Sequence, residues 1–381
     1  MAIDGVDMFR IQNGFRRQVV AAPCMSTTST AAPVATAEKP HNIMTLSRFM
    51  IEATRADPDR ADFESLILSI QIACKTIAHL VSRHGVGDLT GRSASDGASL
   101  YDQASTVLKN SLRFTGKLGV YTSADESPLL IEEAWNSNYI TVFDPLDGAM
   151  NIDVGIVTGT IFGIFREKEE CLVDYGESVS SEAEGRLLKA LQGPNLVAAG
   201  YCMYSSSTVM MFSMGDGVHG FTLDPSIGEF VLTHRNVKIP KRGRIYSFNE
   251  ANTYKWPKGL QEYVKNIKLG KGETGLSYTS RYIGSQVGDV HRTLLYGGVF
   301  GYPADSKRPQ GKLRFLHEVA PLSFLMEQAG GRASTGVGRV LEVAPESLTE
   351  HVPVIMGSYD DVAEAEKYLA SEEKFLGNDN T

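Results

Sequence analysis

The sequence predicts a mixed α/β protein, and three features carry that expectation. Residues 62 to 83, DFESLILSIQIACKTIAHLVSR, show helical periodicity. Short runs rich in β-branched and aromatic residues, such as YITVF (139 to 143), GTIFGIF (159 to 165), RIYSF (244 to 248) and VPVIMG (352 to 357), have the composition of strands. The two kinds mix without strict alternation and without an internal repeat. With 381 residues, 42% of them hydrophobic and 22% charged, the chain can bury a large core as one α/β unit or as two joined domains.

Along the chain, residues 8 to 37 contain no Asp or Glu, carry Arg10, Arg16 and Arg17, and pass into STTSTAAPVATA. That composition resembles an organelle transit peptide, the alternative being an untargeted tail, so residues 1 to 42 are set apart from the fold. Plastid or cytoplasmic placement follows from which of the two holds. In the helix over 62 to 83, Phe63, Leu66, Ile67, Ile70, Cys74, Ile77 and Val81 fall on one face and Gly85 is the stop. A second helix is predicted from about Ser99 to Arg113. The Gly-, Ser- and Asp-rich loop between them, 86 to 98, is free to serve a site. STVMMFSM and VHGFTL form a strand pair around Gly215-Asp216-Gly217. PLSFLMEQAGG, 321 to 331, reads as a helix with Pro in its first turn, Leu322, Leu325, Met326 and Ala329 inward, and Gly330-Gly331 as its stop.

A net charge of -8 and a pI near 5.6, with no Lys/Arg run, argue against nucleic acid as a partner. No uninterrupted run of about 18 apolar residues is present, which argues against a membrane span. Cys24, Cys74, Cys171 and Cys202 stand far apart, with no CxxC and no His at ligand spacing, and read as reduced structural thiols.

The chemistry is concentrated in FDPLDGAMNID, 143 to 153, which follows the apolar run YITVF. Asp-Pro and Gly suit a surface turn. However, a strand ending at Phe143 would hold Asp144 and Asp147 rigidly at a cleft edge. With the Leu146 carbonyl between them they form a set of hard oxygens of the type Mg²⁺ or Mn²⁺ prefers. GKLRFLHE, 311 to 318, adds Glu318 at a helix start and places Lys312 and Arg314 on one face of a short strand. Cations for phosphate beside carboxylates for metal are the combination that phosphate-ester hydrolysis needs.

These residues resemble a known family. FDPLDGAMNID is similar to the FDPLDGSSNID signature of the fructose-1,6-bisphosphatases, and NLVAAGYCMYSSS, GEFVLT, IYSFNE, RYIGSQVGDVHRTLLYGG, GYP, GKLRFLHE and MEQAGG follow in chain order. The resemblance covers about residues 43 to 370, closest to plant-type branches lacking the redox cysteine loop. It implies the sugar-phosphatase fold, layered α-β-α-β-α, with an N-terminal part over 43 to 235, a sugar-phosphate-binding part over 236 to 381, and a homotetramer. It further implies Asp144, Leu146 through its carbonyl, Asp147, Glu318 and Asp125 as ligands of Mg²⁺, or of Mn²⁺ in its place. Asn249, Arg281, Tyr282 and Tyr302 fall where the family binds the 6-phosphate, the arginine coming from a neighbouring subunit. Lys312 lies between phosphate and sugar, Arg314 beside the metals and 1-phosphate, and Gly148 at the 1-phosphate. Asp102 and Asp125 are implied as partners in activating water, with Asp96 keeping the family's spacing ahead of Asp102.

The departures cluster at the chemistry. Ala124 stands where the family has a glutamate ligand, Ala149 and Met150 replace two serines, and the lysines expected between Asp96 and Asp102 are absent. Glu64 and the Asn138-Tyr139 pair replace features of the family's AMP site, which implies insensitivity to AMP. Three readings therefore stand: hydrolysis of the 1-phosphate of fructose 1,6-bisphosphate, a weak or inactive relative that binds sugar phosphates or regulates a partner, and hydrolysis of sedoheptulose 1,7-bisphosphate.

Overall fold

Helix periodicity, strand composition and turn residues assemble into five layers in a computed structural model, which describes residues 43–56, 61–85, 99–113, 120–123, 129–130, 139–166 and 181–378. Helix α1 (Leu46–Ala56) and helix α2 (Ala61–Ser82) come first. Leu66, Ile67, Ile70, Ala73, Cys74 and Ile77 form the inward stripe of α2, all fully buried, and the helix stops in a turn at Gly85, whose left-handed φ of 78° suits glycine. The stretch Glu64–Ser82 is apolar and long enough by composition to cross a bilayer, and here it packs as a core helix. Helix α3 (Leu100–Arg113) opens with a reciprocal cap: the Ser99 N–H and hydroxyl donate to Asp102, and the Asp102 N–H donates to Ser99 Oγ.

Strands β1 (Val120–Ser123), β2 (Leu129–Leu130), β3 (Tyr139–Asp147) and β4 (Thr158–Arg166) are followed by helix α4 (Ser181–Ala190). Then come β5 (Leu196–Tyr204), β6 (Thr208–Ser213), β7 (Val218–Asp224) and β8 (Glu229–Val237). They form one sheet in the order β2-β1-β3-β4-β5-β6-β7-β8, with only β1 and β3 parallel. β3 is buried throughout because both faces are covered. Tyr139 and Phe143 pack toward α1, α2 and α3, while Ile140 and Val142 pack the other way.

The second half contributes β9 (Ile245–Phe248), α5 (Lys258–Leu269), β10 (Thr279–Ser280), α6 (Gln286–Tyr296) and β11 (Val299–Tyr302). β12 (Leu313–Arg314), α7 (Ala320–Gln328), β13 (Arg332–Ser334), β14 (His351–Val352), β15 (Val354–Gly357) and α8 (Tyr359–Asn378) complete it. A second sheet has the order β10-β9-β11-β15-β13. α6 and α7 lie in a core shared by both sheets, and α5 and α8 cover the outer face of the second. The layering is thus α-β-α-β-α, as the resemblance implied.

Two strands differ from the sequence reading. YITVF does not end at Phe143 but continues to Asp147. VPVIMG is divided at Pro353, which cannot donate to a ladder, into β14 paired with β12 and β15 inside the second sheet.

Gly159 of β4 faces Asp147 across the ladder, and a methyl group there would lie 2.8 Å from the Cys202 carbonyl oxygen and 2.9 Å from both Val287 methyls. Gly159→Ala is expected to destabilise the protein by about 1–3 kcal/mol, read from the urea midpoint. Gly185→Ala, on the exposed side of α4 with open space around it, should instead stabilise by about 0.5–1 kcal/mol.

Candidate active site

The site begins with a bulge. Between Asp144 and Asp147, β3 advances three residues while β4 advances two, from Ile161 to Gly159. In an unbroken strand, side chains three apart point to opposite faces; the extra residue brings both carboxylates to one side. Pro145 has no N–H to lose from the ladder, and its carbonyl is held by the Thr160 hydroxyl at 2.8 Å, which in turn accepts from the Tyr204 hydroxyl at 2.8 Å. Gly148, at φ 72°, turns the chain into a short 3-10 segment, Ala149–Val154.

The third carboxylate comes from the turn after β12. Pro321 cannot supply the amide that an α-helix would need there, and the chain widens into a π-turn over Phe315–Val319, with the Ala320 N–H bonding Phe315 O. This aims Glu318 at the bulge. Carboxylate oxygens of Asp144, Asp147 and Glu318 all lie within 4.8 Å of one another. Their exposures are 6%, 9% and 9%. Three anions so close and so dry repel one another and resist ionisation. Burial, then Glu318 and Asp147, push Asp144 well above the usual carboxylate range. Burial raises Asp147 to about 6 despite N–H donors at Val287 and Gln286. Glu318 is raised to about 7, by burial first and Asp147 second. A compact set of hard oxygens that disfavours its own charge fits a divalent cation.

Beside the carboxylates is a cationic and aromatic group. The Tyr282 and Tyr302 hydroxyls are hydrogen-bonded, and Lys312 Nζ sits 5.1 Å from the centre of the Tyr302 ring. Lys312 and Arg314 are close enough to favour ionised carboxylates, Lys312 at Asp147 and Glu318, Arg314 at Asp144 and Glu318. Asn249 follows β9, whose Phe248 pairs with Gly301 next to Tyr302, and its side chain caps the following 3-10 turn by accepting from Ala251 N–H at 3.3 Å. Arg281 is exposed and donates to the Ser280 carbonyl at 2.9 Å.

The structure therefore brings together Asp144, Leu146, Asp147, Gly148, Glu318, Lys312 and Arg314 near the bulge, and Tyr282, Tyr302 and Asn249 at the end of the second sheet. Asp102 is exposed in its capping box and is not one of the three clustered carboxylates. Asp96, Ala124 and Asp125 lie outside the described residues; the last described residue of β1, Ser123, pairs with Phe143, next to Asp144. Sequence reasoning missed the N–H groups that orient Asp147, since nothing in QVGDVHR marks a helix start at Gln286 except Ser285, its cap. It also missed the buried Thr122–His317 bond, 2.7 Å, which ties β1 to the π-turn.

A buried carboxylate triad beside a lysine, an arginine and paired tyrosines on a five-layer α/β scaffold defines a metal-dependent phosphatase type of site. Comparison with known proteins is specific. The family model described as fructose-1-6-bisphosphatase, N-terminal domain, matches residues 44–235, and that for the C-terminal domain matches 239–370. The chain is 45% identical over 361 residues to the chloroplastic fructose-1,6-bisphosphatase 1 of Arabidopsis thaliana, covering 91% of this chain and 86% of that one. It is 44% identical over 361 residues to the chloroplastic enzyme of Spinacia oleracea, with 91% and 87% covered. The Leishmania major fructose-1,6-bisphosphatase structure in holo form superposes with a TM-score of 0.78 at 37% identity, over 86% of this chain and 99% of that one. This chain belongs to the fructose-1,6-bisphosphatase family.

The raised carboxylates give a pH prediction. In the cation-free protein the folded cluster binds protons more tightly than the unfolded chain does. Its contribution to stability is most favourable below the ordinary carboxylate values of 3.8 and 4.5 and declines as pH rises toward about 7. With saturating divalent cation the trend over that window should reverse, and cation binding at pH 6 should release protons, measurable by calorimetry in buffers of different ionisation enthalpy.

Proposed function

We propose that the chain hydrolyses the 1-phosphate of fructose 1,6-bisphosphate, giving fructose 6-phosphate and phosphate, with Mg²⁺ as the cation and Mn²⁺ as a substitute. The observation that carries this reading is the three-carboxylate cluster set beside Lys312 and Arg314, in a chain of this family. Asp144, Asp147, Glu318 and the Leu146 carbonyl hold the cation side, with Asp125 as a further ligand. When bound, Mg²⁺ would polarise the phosphoryl group and lower the pKa of water. Arg314 offsets charge gathering on the phosphoryl oxygens, and backbone N–H groups at Gly148 do so from the other side. Lys312 lies between phosphate and sugar, and Asn249, Tyr282 and Tyr302 hold the distal phosphate with Arg281 of a neighbouring copy in a homotetramer. Water attacks phosphorus as the bond to the C1 oxygen breaks; its proton passes to Asp102 and Asp125, the acids that with Asp96 the resemblance assigns to catalysis, and the sugar oxygen is protonated from solvent. Both Ser99 hydrogen bonds end on Asp102 Oδ2, so Asp102 can take that proton on Oδ1 with its cap in place.

Ala149 and Met150 leave no hydroxyl at two phosphate-side positions, so binding of that phosphate rests on backbone N–H groups. Plastid placement fits the Asp- and Glu-free N-terminal segment and the chloroplastic names of the relatives.

Phosphate release by the purified chain, with Mg²⁺, Mn²⁺ or chelator, tests the reading. Fructose 1,6-bisphosphate should be hydrolysed faster than sedoheptulose 1,7-bisphosphate. Asp147→Ala should fall below about 1% of the parent, a loss beyond the 10–100-fold typical of residues that only support a ligand. Ala124→Glu should lower the half-saturating Mg²⁺ and raise the maximal rate. No release by the parent at any cation concentration would overturn the proposal.

A further inference from the structure

Asp289 is fully buried in the first turn of α6, outside the carboxylate cluster. An acid there would complement the helix dipole equally well facing water. Instead its two oxygens collect donors from three places. The Ser247 hydroxyl of β9 donates at 2.7 Å, Arg292 of its own helix at 2.7 Å, and the N–H groups of Ile283 and Gly284 at 3.1 Å. Ile283 and Gly284 continue the loop that carries Arg281 and Tyr282. The same helix turn donates the Val287 N–H to Asp147 Oδ2 at 2.9 Å. A second strap joins the same parts: Asn151 Nδ2, on the 3-10 segment after the bulge, donates to Gly284 O at 3.1 Å. The loop at 281–284 and the carboxylate of Asp147 are thus fixed to one short piece of helix, and neither can shift without the other.

We propose that Asp289 is a positioning residue that couples the distal-phosphate loop to the cation ligand Asp147, so that occupancy of one half of the site tightens binding in the other. The inference rests on the substrate reading given above. Asp289 touches neither substrate nor cation; it acts through the amides of Ile283 and Gly284 and through α6. Buried charge-assisted hydrogen bonds are stiff, which is what transmission between two half-sites requires. The coupling is reciprocal by thermodynamic necessity.

The probes are Mn²⁺, followed by its electron paramagnetic resonance, and fructose 6-phosphate, which occupies the distal-phosphate half without a 1-phosphate. In the parent, saturating fructose 6-phosphate should tighten Mn²⁺ binding about fivefold, within the range common for linked sites. Ser247→Ala removes one hydrogen bond and keeps the Asp289 charge; it should reduce that factor to about twofold or less. It should also raise both the KM for fructose 1,6-bisphosphate and the half-saturating Mg²⁺, with kcat at saturation within about twofold of the parent. Asp289→Asn should do the same more strongly. Tyr263→Phe, which removes a buried hydrogen bond to Asp361 O on the outer face of the second sheet, is the control: it should lower Tm and leave all three quantities unchanged.

If Asp289→Asn fails to fold, Ser247→Ala decides. Absence of any tightening in the parent, persistence of the full factor in Ser247→Ala, or movement of only one of the two constants would overturn the coupling. Failure of the parent to release phosphate would sink the substrate reading while the linkage between Mn²⁺ and fructose 6-phosphate still stood or fell by itself.

Discussion

Mutual repulsion among Asp144, Asp147 and Glu318 is the constraint around which the rest of the site is built. Burying three carboxylates within 4.8 Å of each other opposes folding in the absence of a counter-charge. The scaffold answers with rigid backbone on each member. Asp144 accepts the Leu146 N–H at 3.1 Å, Asp147 takes the helix N–H of Val287, and Glu318 takes the N–H of Arg314. Each bond occupies one lone pair and leaves others free to converge, so the acids are oriented for a cation instead of relaxing apart. A bound cation would relieve that repulsion, and the irregular geometry of β3 and of the turn before Pro321 is what brings the three acids together to face it.

The fold was legible in the sequence where one periodicity dominated. α2 has an unbroken stripe and a glycine stop, and α7 has Pro at its start and Gly-Gly beyond its end. Harder were elements whose local preferences are contradicted by packing. α6, QVGDVHRTLLY, contains a glycine and two valines and is helical because Val287, Val290 and Leu294 are buried in the core shared by both sheets. β5 and β8 lack an alternating pattern, since β5 is covered on both faces and β8 carries mostly polar side chains. Motif residues marked Asp144, Asp147 and Glu318 as a group, and the three do cluster, because FDPLDG and LHE bring unusual residues to the ends of apolar runs. What could not be read was the bulge. A run of Asp-Pro-Leu-Asp gives spacing three, which by strand periodicity separates the two acids, and only the ladder with β4 shows that they converge. The pairing of Ser99 with Asp102 was equally hidden, being a local cap that competes for a carboxylate the resemblance assigns to chemistry.

The substitutions at Ala149 and Met150 take on a different meaning once their surroundings are seen. Met150 is 94% exposed, while Ala149 packs against the core beneath the first sheet. The chain turns at Gly148, φ 72°, and at Gly155, φ 67°, on either side of the 3-10 segment that carries both residues. The loop thus keeps its trajectory and its amides while losing two hydroxyls. A serine hydroxyl adds one neutral hydrogen bond to an oxygen already surrounded by amides and cations, a net effect of about 1 kcal/mol. Under the proposed function, alanine at position 124, where the resemblance implies a glutamate ligand, would take a full charge from the cation site. On that reading the two kinds of departure would differ in what they attenuate, phosphate affinity in one case and cation affinity in the other.

The proposed coupling would give a cation-side loss a wider reach. Asp147 is held by α6, α6 by Asp289, and Asp289 by the loop bearing Tyr282. On the proposed reading, a weaker cation site would leave less to oppose protonation of Asp147, which burial raises to about 6. A neutral Asp147 accepts a weaker bond from Val287 N–H, and the turn of α6 that it anchors is held less firmly. Through Asp289 that softening would reach Ile283 and Gly284, in the loop proposed to hold the far phosphate. On that reading, substitution at a single ligand position would be felt at both ends of the substrate, and sugar-phosphate affinity and cation affinity would change together as properties of one continuous element.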